Sequence, residues 1–533
     1  MSCLLFCSNA IAQRDTTKRQ TIDITSSYKP VLRNAVKINL SASPLAADTS
    51  RPRLSYDIPP QNLFFAYQPV SLKPLGLMQD TGLQLGVRNY VKAGFGNYST
   101  PYIAAAISMG DGKKSLVNAY GNYISSKGKI INQDFSELQL KGTGSLFTPK
   151  NEAYGSVGIN ARQYYQYGYN HLLNTFSKET VRRKYQDLSV AAGLRNIAVN
   201  DLNINYDPNA VVHFFSRENK ISESTLIIET PVEKKIGESV SFKVAAKADI
   251  TKLTNKTTSV SSTISNNLFQ GAPELVYYSD RFTFHGGVTP SWDNGVLSVL
   301  PNVYGEAQLQ HKVLMIQAGW VGRFIKNSFR SLSTINPYMA DPSFLLNTKE
   351  VQYYGGIKAT VGKHLSFNAK AAYVTYNNMP LFVNDFNEGN SFLIRNERKM
   401  NALQLHGDVS VVSQDKFTFT AALDANTYTG LKDNAKAWHL IPLQLTGSFR
   451  WNAFKQVLVK ADLFTFSGAP ALLKNNTEKK LNGTDLSAGA EFKITKKFSA
   501  WLDFNNIFDN KYQRFNNYPV YGLNIIGGII AHF

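Results

Sequence analysis

The sequence has no run of 18 or more apolar residues, so nothing in it can cross a membrane as a helix. It is also poor in charge. Asp, Glu, Lys and Arg make up 18% of its 533 residues, against about 25% in ordinary soluble domains. Cysteine is nearly absent: Cys3 and Cys7 are the only two, both in "MSCLLFCSNAIAQ". That stretch is a short apolar segment followed by the small residues Ala10-Ile11-Ala12, and it reads as an export signal, residues 1–12, cleaved before Gln13. A buried N-terminal strand is the alternative. Phe6 is too bulky for lipid attachment at Cys7. Without residues 1–12 the chain has no cysteine, which excludes a disulfide framework and thiol chemistry.

Catalytic and metal signatures are missing too. The eight histidines, His171, His213, His285, His311, His364, His406, His439 and His532, show no metal-ligand spacing and no HExxH. There is no Gly-x-Ser-x-Gly elbow and no phosphate-binding loop. A hydrolase site built from distant residues would be sought at His213 and His406, which have serines nearby, but the expectation is no enzyme and no cofactor. The net charge of +19 raises nucleic acid as a partner. The lysines argue against it, because they sit in pairs at turns (Lys113-Lys114, Lys234-Lys235, Lys479-Lys480, Lys496-Lys497) rather than on a basic helix. Membrane phosphates and anionic solutes suit them better.

What the chain does have is aromatic residues, 12% of the total with 27 Tyr and 32 Phe, and strict alternation. In "DLSAGAEFKIT", Leu486, Ala488, Ala490, Phe492 and Ile494 oppose Asp485, Ser487, Glu491 and Lys493. "LQLHGDVSV", "LSFNAKAAY", "AWLDF" and "VLVKADLF" behave alike, with Lys460, Asp462 and Asp503 on polar faces. This is the strand period. The chain's final residues, "GLNIIGGIIAHF", also alternate and end on Phe533. Glycine and alanine recur on the apolar faces, which suits a lipid-facing surface better than a packed sandwich core.

The connectors alternate as well. "TKK", "NAFK", "QDK", "GKH" and "QHK" are short, and "GDGKK", "TPKN" and "EKKIG" stay in phase with them. The intervening segments are long: Tyr167–Gln186, Ile325–Glu350, Asn377–Lys399, "TGLKDNAKA", "GAPALLKNNTEKKLNGT" and "DNKYQRFNNYP"; nearer the N-terminus the contrast weakens, as in the short "DNG" after Trp292. Short turns at one end and long loops at the other describe an all-β transmembrane antiparallel barrel of about 22 strands over residues 85–533, the short turns facing the periplasm. A propeller or a string of sandwiches gives no reason for that alternation, and no blade-length repeat is present. Phe533 then stands in an aromatic girdle as an insertion signal. Lys460, Asp462, Glu491, Lys493 and Asp503 face the lumen, as a solvated wall or as solute contacts.

The closing stretch "WLDFNNIFDNKYQRFNNYPVYGLNIIGGIIAHF" resembles the C-terminus of TonB-dependent receptors over about 35 residues. Asn506, Ile507, Phe508 and Asp509 stand where that family has Asn-Leu-Phe-Asp, and Tyr512 follows at the family's distance. Tyr518-Pro519 begins the family's turn, but Val520-Tyr521-Gly522 replaces its Gly-Arg. The N-terminal "SYKPVLRNAVKINLSASP" is similar to segments of Bacteroidota envelope barrels. The resemblance implies a 22-strand outer-membrane barrel, insertion by the barrel-assembly machinery, contact with outer-membrane lipids and lipopolysaccharide, and engagement of TonB or another envelope protein.

One departure stands out. The family fills its lumen with a plug of well over a hundred residues, whereas residues 13–84 number 72. They are proline-rich and read as an extended periplasmic or lumenal segment. Within it, Thr21, Ile22, Asp23, Ile24 and Thr25 faintly resemble a TonB box; an ordinary polar tail is the plainer reading. The expected function is passage or import of a solute across the outer membrane. The alternative is a structural or docking subunit of an envelope complex. Three candidates could occlude the lumen: the 13–84 segment, in-folded loops such as Ile325–Glu350, or a separate protein.

Overall fold

A computed structural model describes residues 89–533, apart from 219, 258–260, 311–313, 363 and 414–415. The signal segment, residues 13–84 and the Thr21–Thr25 stretch lie outside the described residues. Twenty-three strand segments, from Tyr90–Gly96 to Asn524–His532, form one antiparallel sheet. Ile204–Tyr206 and Asn209–Arg217 lie end to end against Ile221–Lys235 and make one wall strand, so the barrel has 22. The break between them falls at Pro208, which has no N–H to give to a ladder.

Alternation gives each strand its two faces. On Leu365–Asn384, Ser366, Asn368 and Lys370 point inward and are buried, while Ala369, Ala371 and Tyr373 face out. On Phe392–Ser413, Leu403 and Leu405 are each 49% exposed outside, and Gln404 is 4% exposed inside. Large exposed apolar side chains recur in this way round the whole outer wall, which in water would be an aggregation surface and in lipid is a solvated one.

The long connectors 166–181, 326–347, 430–442 and 506–523 all fall at one end of the wall, here the loop end, and most short ones at the other, the turn end; 97–99, 218–220 and 294–295 are tight turns at the loop end. Two expected loops are shorter than their residue spans implied. Leu365–Asn384 and Phe392–Ser413 run 20 and 22 residues, about twice the ~9–11 of a tilted crossing. They stay paired from Asn377↔Lys399 out to Asn384↔Phe392. Likewise Ala469–Leu472 pairs with Glu478–Leu481 inside the expected loop between them. The alternation fails along residues 379–384 and 469–472 because both runs are buried on both faces.

The first and last strands close the barrel, in register from Tyr90↔His532 to Gly96↔Ile526. At the middle of that seam Gly94 faces Gly528. A Cβ on Gly528 would overlap the Ala93 carbonyl, and one on Gly94 would overlap the Trp501 ring, whose Nε1–H donates to Ala93 O at 3.3 Å. The chain therefore needs two glycines here so that an indole can lie across the seam from inside. Phe533 follows on the outer face at the turn end, 64% exposed, with its N–H donating to Asn89 O.

Gly528→Ala should lose most of its folded barrel, read as the fraction that migrates differently unboiled and boiled on a gel. Gly142→Ala, where a Cβ meets nothing within 4 Å, should fold like the parent. Equal folding of both variants would show that the seam tolerates a side chain.

Candidate functional site

The five polar-face residues singled out in the sequence share the inner wall near the seam. Lys460 Nζ lies 3.0 Å from Asp503, and Arg450 Nη2 lies 2.9 Å from Asp462. Lys92 adds its ammonium 4.0 Å from the Trp501 ring centroid and 4.0 Å from Asp503. Glu491 lines the same recess with Tyr90, Tyr102 and His532, and Lys493 follows Glu491 on the inner face. Both signs are balanced within a few ångströms, which fits a hydrated wall better than a site selective for one charge. His213 Nδ1 lies 3.3 Å from Asp187, and the two nitrogens of His406 meet Asp424 and Asp408 at 2.6 and 3.1 Å. These are histidine–carboxylate pairs within a strand face. Among the described residues no cluster of three or more His, Cys, Asp or Glu could hold a metal.

The C-terminal motif does different work at each residue. Asn506 and Asp509 both adopt positive φ, 50° each, a conformation Asn and Asp tolerate best among residues with a Cβ. Fully buried, Asn506 donates to the carbonyls of Asn510 and Tyr521 at 2.9 and 2.8 Å, and Asp509 accepts from Leu523 N–H at 2.8 Å. Together they staple the base of the 506–523 loop. Tyr512 packs on Phe466 and donates to Asp485 at 3.2 Å. Phe508 faces outward, 58% exposed.

That loop carries a small hairpin, Gln513–Phe515 with Tyr518–Pro519, over the mouth. Tyr518 has no exposed surface. Its ring stacks on Tyr338 at 3.7 Å and meets Tyr167 edge-on at 4.9 Å, and its hydroxyl donates to the Asn390 carbonyl. Those partners come from three other loops, 166–181, 326–347 and 385–391. The first and third leave the wall nearly half a circumference apart, so a contact shared by both must cross the mouth. A barrel of 22 strands is far too wide for wall side chains to meet. Here the loops meet instead. Phe135, Phe382, Phe392, Phe515 and Tyr521 belong to the same buried cluster. Gly168 lies under the Tyr518 ring with no room for a side chain.

Loop 326–347 is fixed to the wall. Its helix, Phe329–Ile335, begins with a Ser328 capping box, and Glu223 of the wall accepts the N–H groups of Phe329 and Arg330 at 2.6 and 3.2 Å. Burial raises the Lys326 neighbourhood's cost and lowers that ammonium's pKa, yet Asp249 at 3.4 Å and the Asn266 carbonyl at 2.5 Å hold it. Arg217 pairs with Asp341, and Asn266, Asn327 and Asn347 exchange amide hydrogen bonds. Loop 430–442 supplies Trp438, Leu440 and His439 from the other side. His439 Nδ1–H donates to Phe382 O at 2.7 Å, and its Nε2 accepts the Asn516 N–H at 3.3 Å. Burial, with Arg514 nearby, pushes its pKa down to about 3. Burial also lifts the Tyr338 and Tyr518 phenols well above their ordinary value, so they stay neutral.

Sequence reasoning located the loops and named in-folded ones such as Ile325–Glu350 among three candidates to occlude the lumen, but it did not find the aromatic packing that joins them. The available signal was loss of alternation in "MPLFV" and "AWHLIPL", apolar runs with no lipid-facing phase.

No protein-family model matches the chain, and no curated protein matches it. Its fold is similar to that of the iron transporter FrpB from Neisseria meningitidis (TM-score 0.63, 11% identity, 84% of this chain and 81% of that one). It is also similar to the siderophore receptor PirA from Pseudomonas aeruginosa (TM-score 0.57, 12% identity, 84% and 80%) and to P. aeruginosa FpvA solved with bound pyoverdines (0.61, 11%, 84% and 72%). At these identities the likeness is one of fold alone: a closed 22-strand antiparallel barrel.

The buried neutral His439 gives the cap an acid limit. Its folded pKa is depressed below the ordinary 6.5, so its contribution is complete above pH 6.5. Below that it falls by up to ~1.4 kcal/mol per pH unit, until the folded-state value near 3 is reached. The near-UV dichroism of the packed tyrosines should weaken over that window and return on neutralisation. His439→Gln should flatten the dependence; an unchanged profile in that variant would assign the transition to another group.

Proposed function

We propose that this barrel sits in the outer membrane and passes a solute across it, in the manner of a receptor whose outer mouth is covered by its own loops. The observation that carries the reading is the architecture as a whole: a closed 22-strand wall with short turns at one end and loops folded over the other. Its likeness to iron and siderophore receptors, together with the TonB-dependent-receptor pattern at Asn506, Phe508, Asp509 and Tyr512, makes ferric chelates the first solute class to test. The inner-wall charges Lys460, Asp462, Glu491, Lys493 and Asp503 are then solute contacts below the cap. Thr21–Thr25 is the segment through which TonB would act. Phe533 is the insertion signal read by the barrel-assembly machinery, with lipid and lipopolysaccharide around the wall.

One observation favours the second reading, a docking subunit that transports nothing. The 326–347 loop is held to the wall by a buried carboxylate, two ion pairs and an amide network, more than a lid that opens at every turnover needs. Uptake decides between them. Cells lacking the protein should accumulate one labelled ferric siderophore of a panel several-fold more slowly, and the intact gene should restore the rate. Unchanged uptake of every solute, with the barrel recovered at constant ratio to another envelope protein, would replace transport by docking.

A further inference from the structure

Three pairs of exposed lysines stand on the turn-end rim: Lys113-Lys114, Lys234-Lys235 and Lys496-Lys497. Among the described residues none of the six is in an ion pair, whereas loop-end cations such as Lys178, Arg217 and Arg398 pair with Asp134, Asp341 and Asp433. The carboxylate of Asp111, on the first of these turns, is spent on the backbone N–H groups of Lys113, Lys114 and Ser115. Each lysine pair also has an exposed apolar side chain beside it: Met109, Ile236 and Ile494, at 60, 64 and 54%. Around the seam, Phe454, Phe492, Phe498 and Phe533 add an outward aromatic belt just inside the rim.

We propose that this rim binds the phosphates of anionic glycerophospholipids in the leaflet it meets, the lysine pairs reaching the headgroups while the aromatic and aliphatic side chains lie at the acyl boundary. The inference rests on the barrel being a membrane protein. Cations placed immediately beyond an aromatic belt have the geometry of a bilayer interface. The spacing excludes a compact acidic protein as the better fit. Two pairs flank the seam and the third stands about a third of the way round the wall, each with its own apolar neighbour. A leaflet surrounds the rim and meets all three at once; a single docked surface does not.

The test uses the full-length protein in nanodiscs of equal parts phosphatidylcholine and phosphatidylglycerol, with the lipid retained on transfer to detergent then quantified. The parent should retain phosphatidylglycerol about threefold over phosphatidylcholine at low salt, and the preference should fall as salt rises. Replacing all six lysines by glutamine should bring the ratio to parity, and replacing them by arginine should preserve it. No preference in the parent, or full preference in the glutamine variant, overturns the proposal. Heat-shifted migration of each variant reports the folded barrel separately. Loss of that shift in the parent would fault the membrane reading and not the rim.

Discussion

Seven residue pairs join Tyr90–Gly96 to Asn524–His532, and a lipid-exposed wall depends on them. In hydrocarbon an unpaired backbone N–H or C=O has no water to turn to, so an open sheet edge is not available to a chain this apolar on its outside. Closure puts the ends of the described chain next to each other, and it makes the last strand the one that completes every other pairing. The glycines at the middle of the seam, and the Trp501 ring laid over them, are the local means by which two strands separated by more than 400 residues come into register.

Once closed, the wall creates a second difficulty, a mouth too wide for its own side chains. The chain meets it with material that the strands position. Hairpins such as Leu365–Asn384 with Phe392–Ser413 overrun the membrane-crossing length and lift their tips beyond the wall, where Phe382 and Phe392 become buried. The stapled base made by Asn506 and Asp509 aims the last loop inward, so that Tyr518 reaches loops from the far side. The cap is thus a small aromatic core of its own, joined to the wall by polar contacts whose charges are matched.

The wall was readable because its two faces meet different solvents, and period two records that directly in segments such as Ala402–Val411. The turn end was readable because a short turn leaves a short polar interval. The cap was not. Tyr167, Tyr338 and Tyr518 lie far apart in sequence and meet through a geometry that no local pattern encodes. The loss of alternation near Leu381 and Leu440 looked like loop and meant burial on both sides. Gly528 was visible only as a member of the face it shares with Asn524 and His532; that it opposes Gly94 requires knowing which strand is last and which is first. Lys460 and Asp503 were legible as a polar face, but their 3.0 Å pairing was not.

The central claim is that the loop end is closed by packing and not merely overhung by loops. Hydrogen exchange at single amides tests it most directly. The N–H groups of Phe392 and Ala340, which donate to Tyr338 and Phe392 carbonyls between loops, and that of Val520, which donates to the Tyr512 carbonyl within the last loop, should be protected to nearly the degree of the wall strands at neutral pH. Thr175, exposed at the tip of the 166–181 loop, should exchange freely. Exchange of the three cap amides at the rate of that tip would mean the mouth stands open and the loops do not close it.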